Sequence, residues 1–244
     1  ILLSKLTRSQ VTVSLSGDGG DEIFGGYGRY FLGQRLKSYL GFMPHKFRKA
    51  LKSSNLIKFQ KPLMKSLVGN KVTNFDQKFN KFEKVFDFYN DKNLFDKLAL
   101  FDNKFLTTTN TPSDTDLIWN TDISYYKKAM IADAIDYLPG DILTKVDTAG
   151  MSVSLETRIP LLNHKIAEYV VQLPLSFLHQ NGTGKYILKD IVHQYIPKNL
   201  MDRPKKGFDI PLGSYIRNEL HDYMQAQIDY GKTFFNDFFD FDEI

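Results

Sequence analysis

A short β-branched and apolar run, Val11 to Leu15, stops abruptly at Ser16-Gly17-Asp18-Gly19-Gly20-Asp21-Glu22. No other stretch limits the fold so tightly. Three glycines within four positions end the strand and force a loop. After it come Gly25-Gly26 and then Tyr30, Phe31, Leu36 and Leu40, which place a helix that starts near the glycines and packs one face inward. Strand, glycine loop and helix make half of a βαβ unit.

With 244 residues the chain can form one large domain or two small ones. Phe75, Phe79, Phe82, Phe86 and Tyr89 recur in steps of four and three, and Leu94, Leu98, Phe101 and Phe105 repeat the pattern, so two amphipathic helices are predicted. Spacing of this kind marks core packing, and no chemistry is assigned to the Phe stripe. Thr107 to Asp116 reads as a loop. A helix over Ala129 to Tyr137 is predicted to close at Pro139-Gly140, with Asp141 capping a further turn toward Lys145 and Asp147. Between Met151 and Pro160 apolar residues alternate with Ser154, Glu156 and Arg158, which predicts an extended segment carrying acid and base on one side. Helices follow at about 163–173, 185–196 and 212–228. The aromatic and acidic end, Phe234 to Ile244, is a docking tail or a frayed terminus.

Thirty-two basic against 28 acidic side chains leave +4, spread along the chain, so nucleic acid is not implied. The absence of cysteine excludes disulfides, thiolate metal sites and a cysteine nucleophile within these residues, and favours the cytoplasm. No apolar run reaches the roughly 20 residues of a membrane span, and the start lacks the order of a signal peptide. His45, His164, His179, His193 and His221 lie far apart without ligand spacing, so a histidine metal site is not expected.

The glycine loop can bring backbone N–H groups against a phosphate, yet carboxylates flank it. The pairing makes sense if a magnesium ion lies between carboxylate and phosphate oxygens. Taken alone, the loop could equally be an acidic surface turn or a calcium-like one. Extended to Tyr27, the string S-G-D-G-G-D-E-I-F-G-G-Y resembles the second nucleotide-site motif of the asparagine synthetase family, S-G-[DE]-G-x-D-E-x-F-G-G-Y. Further resemblance lies in Leu138-Pro139-Gly140-Asp141 through Lys145-Val146-Asp147, in Met151 to Pro160, in Lys185-Tyr186-Ile187-Leu188-Lys189 and in Arg203-Pro204-Lys205-Lys206-Gly207-Phe208.

This resemblance implies an α/β, adenine-nucleotide α-hydrolase-like fold with a parallel sheet, mostly helical over these residues. It implies ATP and Mg2+ as cofactors and a carboxylate, most often aspartate, activated as an acyl-adenylate and then amidated by ammonia. Ser16, Gly17, Gly19 and Gly20 match nucleotide-holding positions, and Asp21 matches a magnesium-holding carboxylate, with a helix N-cap as its plainer reading. Asp18 matches the acidic position linked to formation or breakdown of the adenylate, one methylene shorter than the commoner Glu. Lys185 matches the lysine of K-x-x-L-[RK] that neutralises departing pyrophosphate; outside that context it is a surface lysine at a helix start. Arg203, Lys205 and Lys206 contact phosphate or substrate, or form a solvated basic loop. Glu22, Asp141 and Asp147 are supporting residues, and Glu156 with Arg158 reads first as a structural ion pair.

By the same resemblance, residues 1–244 form the carboxyl-terminal part of one synthetase domain, with a helical insertion at about 41–120 and a helical substrate and pyrophosphate side at 121–230. The family's earlier loop, S-G-G-x-D-S, is absent from the 244 residues, as is the glutaminase domain that would deliver ammonia. The chain therefore reads as a piece of a longer protein whose partners are that domain and small molecules, with a homodimer admitted. Thr148 and Asn163 stand where many members carry Arg and Asp, which opens sugar or peptide acceptors as alternatives. A non-catalytic nucleotide-binding or interaction module is the competing class.

Overall fold

The computed structural model describes residues 1–53, 61–62, 79, 83–98, 115–201, 212–235 and 237–239. The chain divides into two compact units, one of Ile1–Leu100 with Ser113–Ile191 and one of Phe101–Pro112 with Val192–Ile244. In the first unit the order is α1 (Leu2–Arg8), β1 (Val13–Leu15), α2 (Gly20–Phe24), α3 (Gly28–Leu40), α4 (His45–Ser53), α5 (Asp91–Leu98), α6 (Asp116–Trp119) and α7 (Tyr125–Ile135). A π-helix (Leu138–Leu143), α8 (Thr144–Met151), β2 (Glu156–Arg158), α9 (His164–Gln172), α10 (Leu175–Leu178), β3 (His179–Gln180), β4 (Thr183–Gly184) and α11 (Tyr186–His193), whose last two residues are counted with the second unit, follow. The second unit holds α12 (Lys198–Met201), α13 (Leu212–Arg217) and α14 (His221–Phe235).

The expected α/β class appears as a mostly helical chain with a small parallel sheet. β1 and β2 pair in parallel with Val13 opposite Glu156, Ser14 opposite Thr157 and Leu15 opposite Arg158. Backbone bonds extend the ladder at both ends: Glu156 N–H donates to Thr12 O at 3.0 Å and Ser16 N–H to Arg158 O at 2.8 Å. Both strands therefore end together, and the glycine loop leaves from their carboxyl ends, where open parallel sheets place ligands.

The core lies between α3, α5, α7 and the segments around α9 and α10. Tyr30, Leu94, Tyr125, Tyr126 and Leu178 are completely or almost completely buried. α7 is buried nearly all round, and Ser124 caps it by accepting from Lys127 N–H. α3 and α7 approach closely because Gly33 has no side chain; a Cβ there would run into the Tyr125 ring. Arg48 is buried and donates to the carbonyls of Leu40, Met43 (2.9 Å) and Phe88 (2.5 Å), closing the end of α3. Asp91 joins α5 to α3 and α7 by accepting from Lys37 at 2.9 Å and Lys128 at 2.8 Å.

Several boundaries differ from expectation, each for a local reason. The extended segment at Met151 to Pro160 narrows to Glu156–Arg158, because Val153 and Leu155 N–H both return to Gly150 O in a turn with Ser154 at φ +56°. Pro139-Gly140 does not close a helix. It lies inside the π-helix, whose early position tolerates the missing N–H of proline, and the Pro139 carbonyl is met by Thr144 Oγ1 at 2.9 Å. The expected helix at 212–228 is two helices, interrupted where Asn218 bonds back to Ser214 O at 2.9 Å. Asp116 opens α6 instead of belonging to a loop. Of the Phe stripe, Phe79 and Phe86 are buried as core, while Tyr89 is exposed; Phe75, Phe82, Phe101 and Phe105 lie outside the described residues, as does most of the 41–120 insertion between α4 and α6.

Candidate functional site

The loop after β1 folds into the five-residue helix α2, entered through Gly19 at φ +75° and left through Gly25 at φ +71°. Both glycines are needed sterically as well. A Cβ on Gly19 would overlap Leu162, and one on Gly25 would lie 2.6 Å from the Tyr126 hydroxyl, which donates to Gly25 O at 2.5 Å. Leu161 and Leu162 lie in the 3-10 turn Pro160–Leu162 after β2, so the segment that follows the second strand supplies the floor of the loop that the first strand opens. Gly17, by contrast, has no heavy atom within 4 Å of the place a Cβ would take. The open side of the loop is there.

Ser16 Oγ donates to Asp18 Oδ2 across the loop mouth. Asp21 is the second residue of α2, not its N-cap, since Gly19 occupies that position and no side chain caps the helix. Its Oδ2 lies 2.9 Å from Lys185 Nζ, with the lysine 22% and the aspartate 26% exposed. This distant lysine is brought to the loop by the β3–β4 hairpin, in which His179 pairs with Gly184 and Gln180 with Thr183. Its two-residue turn, Asn181 (φ +51°) and Gly182 (φ +78°), has the Asn-Gly chemistry of tight hairpins. His179 stacks on Phe31 at 4.0 Å, and Gly184 sits against Gly25 O, where a Cβ would come within 2.5 Å. Lys185 is itself held at φ +56°.

Beneath the loop lies a polar network absent from the sequence-based candidates except for Glu22. Glu22 is buried and accepts from the Tyr27 hydroxyl at 2.5 Å. Burial pushes its carboxyl above the ordinary value, and the hydrogen bond offsets only part of that. Next to it, Asp133 on α7 accepts from Arg29 and from Tyr30, each at 2.5 Å. The Arg29 guanidinium also lies over the rings of Tyr27 (5.0 Å) and Tyr137 (5.4 Å). The one sequence signal for this network is Asp133 itself, a lone carboxylate in the apolar string Ala129-Met130-Ile131-Ala132-Asp133-Ala134-Ile135.

The remaining candidates divide. Asp141 and Lys145 pair at 2.7 Å across one exposed helical turn, and Tyr137, edge-on to Tyr27 at 6.2 Å, connects that turn to the loop. Asp147 is exposed on α8. Glu156 and Arg158 pair at 2.7 Å on one face of β2, both more than half exposed. Arg203, Lys205 and Lys206 lie outside the described residues. Asn163 caps α9 by accepting from Lys165 N–H at 3.0 Å, a task asparagine performs as well as aspartate.

Asp21 is the residue at this loop that could hold a divalent cation. Among the described residues no three or more His, Asp or Glu form a ready-made cage, but magnesium usually takes one or two carboxylates, several waters and phosphate oxygens. Asp21 at a glycine-lined loop is that kind of donor. No helix of the described residues is long and apolar enough to cross a membrane.

The chain is 28% identical over 234 residues to asparagine synthetase [glutamine-hydrolyzing] 1 of Bacillus subtilis, covering 95% of this chain and 36% of that protein. It is 26% identical to a putative asparagine synthetase [glutamine-hydrolyzing] of Mycobacterium tuberculosis, covering 93% and 34%. The asparagine synthetase of Bos taurus matches at 31% over 96 residues, 36% of this chain and 17% of that one. The chain thus spans about a third of the length of the bacterial relatives. No solved structure matches it. The asparagine synthase family model matches residues 1–242, and the chain belongs to that family.

Proposed function

We propose that the chain supplies one side of the synthetase site of a glutamine-dependent enzyme that makes an amide from a carboxylate and ATP in the cytoplasm. The fold we assign is adenine-nucleotide α-hydrolase-like. The observation that carries the reading is the glycine loop at the carboxyl end of β1, with Asp21 and Lys185 meeting 2.9 Å apart at its edge. A carboxylate oxygen of the substrate attacks the α-phosphorus of ATP, the bond to the bridging oxygen breaks, and pyrophosphate leaves. Ammonia from a glutaminase domain then attacks the acyl carbon, and AMP departs.

Each residue of the loop has a task in that scheme. Ser16, Gly17, Gly19 and Gly20 hold the nucleotide through the backbone of the loop, from its open side at Gly17. Asp21 would hold magnesium, which would supply charge neutralisation at the phosphates. Lys185 stabilises the charge that grows on departing pyrophosphate, and Arg203 and Lys205 contact phosphate from their loop. Asp18, fixed by the Ser16 hydroxyl, takes a proton as ammonia attacks. Aspartate is the acceptor favoured by the names of the relatives, and glutamine hydrolysis comes from the same names.

The 244 residues contain no S-G-G-x-D-S loop, so the test uses the longer protein to which we assign them. Aspartate-dependent exchange of pyrophosphate into ATP should fall on the order of a hundredfold in Asp21→Asn, while glutamine hydrolysis continues. Unchanged exchange removes Asp21 from the metal site. Exchange driven by another carboxylate but not by aspartate replaces the acceptor.

A further inference from the structure

We propose that Lys185 is an internal counter-ion of Asp21, a latch that keeps divalent cations off this carboxylate until a polyphosphate arrives to take the ammonium. The inference rests on Asp21 as the metal-holding residue and names how that site is controlled.

The contact is built, not incidental. Lys185 Nζ stands 2.9 Å from Asp21 Oδ2, and the same ammonium lies 3.6 Å from the point a Cβ on Gly20 would occupy, so it rests on the glycine loop itself. Gly26 makes room for both partners; a Cβ there would overlap Asp21 Oδ1 and Lys185 Cε at once. The backbone that aims the lysine is constrained on each side. The Asn181-Gly182 turn sets the hairpin, Gly184 abuts Gly25 O, and Lys185 adopts the left-handed conformation that a side chain rarely takes. Such a conformation persists only where its surroundings enforce it.

Charge balance sets the order of binding. One carboxylate cannot neutralise an ammonium and a divalent cation together within about 3 Å, because the two cations repel. A cation arriving alone leaves the Lys185 ammonium, only 22% exposed, without its counter-charge. A cation arriving with a polyphosphate meets no such cost, since the phosphate oxygens accept the ammonium as the metal takes Asp21. Cation and polyphosphate therefore favour each other's binding, and the coupling is reciprocal.

The probe is Mn2+ alone, titrated into the full chain and followed by the electron paramagnetic resonance of the free ion. Lys185→Ala should bind Mn2+ about five- to tenfold more tightly than the wild type, and adding Asp21→Asn should abolish the gain. Lys185→Gln, which keeps the length of the side chain, should show the same gain, and circular dichroism checks that each variant is folded. Wild-type affinity in folded Lys185→Ala and Lys185→Gln, with binding still lost in Asp21→Asn, overturns the latch and leaves the metal assignment standing. Mn2+ binding that ignores Asp21 in every background overturns both.

Discussion

At the residue scale, the half-buried Asp91 is tolerated because specific partners outweigh its desolvation. Asp91 shows the sign of the effect. Burial raises its pKa, but hydrogen bonds and charge from Lys128 and Lys37 outweigh burial and hold it below the 3.8 of a free aspartate. A lowered carboxylate pKa contributes stability that is complete above about pH 4 and is lost as pH falls through the folded value. Asp91→Asn should cost about 3 kcal/mol at neutral pH, since it leaves the buried Lys128 without its counter-charge. In urea unfolding, the gap between wild type and variant should narrow as the pH falls below about 4. A gap independent of pH would mean that the ion pairs are not the source of the loss. Of these partners the sequence discloses the charges but not the pairing, because Asp91 and Lys128 are 37 positions apart.

At the scale of elements, the β3–β4 hairpin is the device that delivers Lys185, and two of its glycines serve different ends. Gly182 has φ +78° with open space around it, so Gly182→Ala should cost only backbone strain, about 1 kcal/mol. Gly184 has the Gly25 carbonyl 2.5 Å from the place of a Cβ. Because that neighbour is backbone, Gly184→Ala should cost about 2–3 kcal/mol and push the hairpin off the loop. Thermal unfolding of the two variants gives the comparison; equal losses would show that the hairpin does not bear on Gly25. The Asn-Gly dipeptide is a turn signal in the sequence, yet two-residue strands are too short to register as periodicity, so the hairpin is not legible there. Glycine loop, strand and α3 are legible because turn chemistry and apolar spacing agree.

At the scale of the whole molecule, the open side of the small sheet dominates. β1 pairs only with β2 among the described residues. Leu15 is 74% exposed, and Leu2, Leu3 and Leu6 of α1 are more exposed than not. An unpaired strand edge beside apolar side chains is a template for association. The isolated 244-residue chain should self-associate with rising concentration in sedimentation velocity, and Leu15→Lys should reduce this by placing a charge on the edge. A monodisperse, cooperatively melting wild-type monomer would contradict the prediction.

Local chemistry determines much of what this chain is. The strand that breaks on glycines, the acidic loop, the helix after Gly26 and the order of the motifs are set by residues within a few positions of one another, and those are legible one after another along the chain. Longer-range features needed the tertiary structure. Lys185 on Asp21, Leu162 under Gly19, and Asp133 with Arg29 and Tyr30 all depend on which distant segments meet. The physical reason is that burial and charge pairing act through space: a carboxylate's partner is whichever cation the fold brings within about 3 Å, and neither periodicity nor composition records that distance.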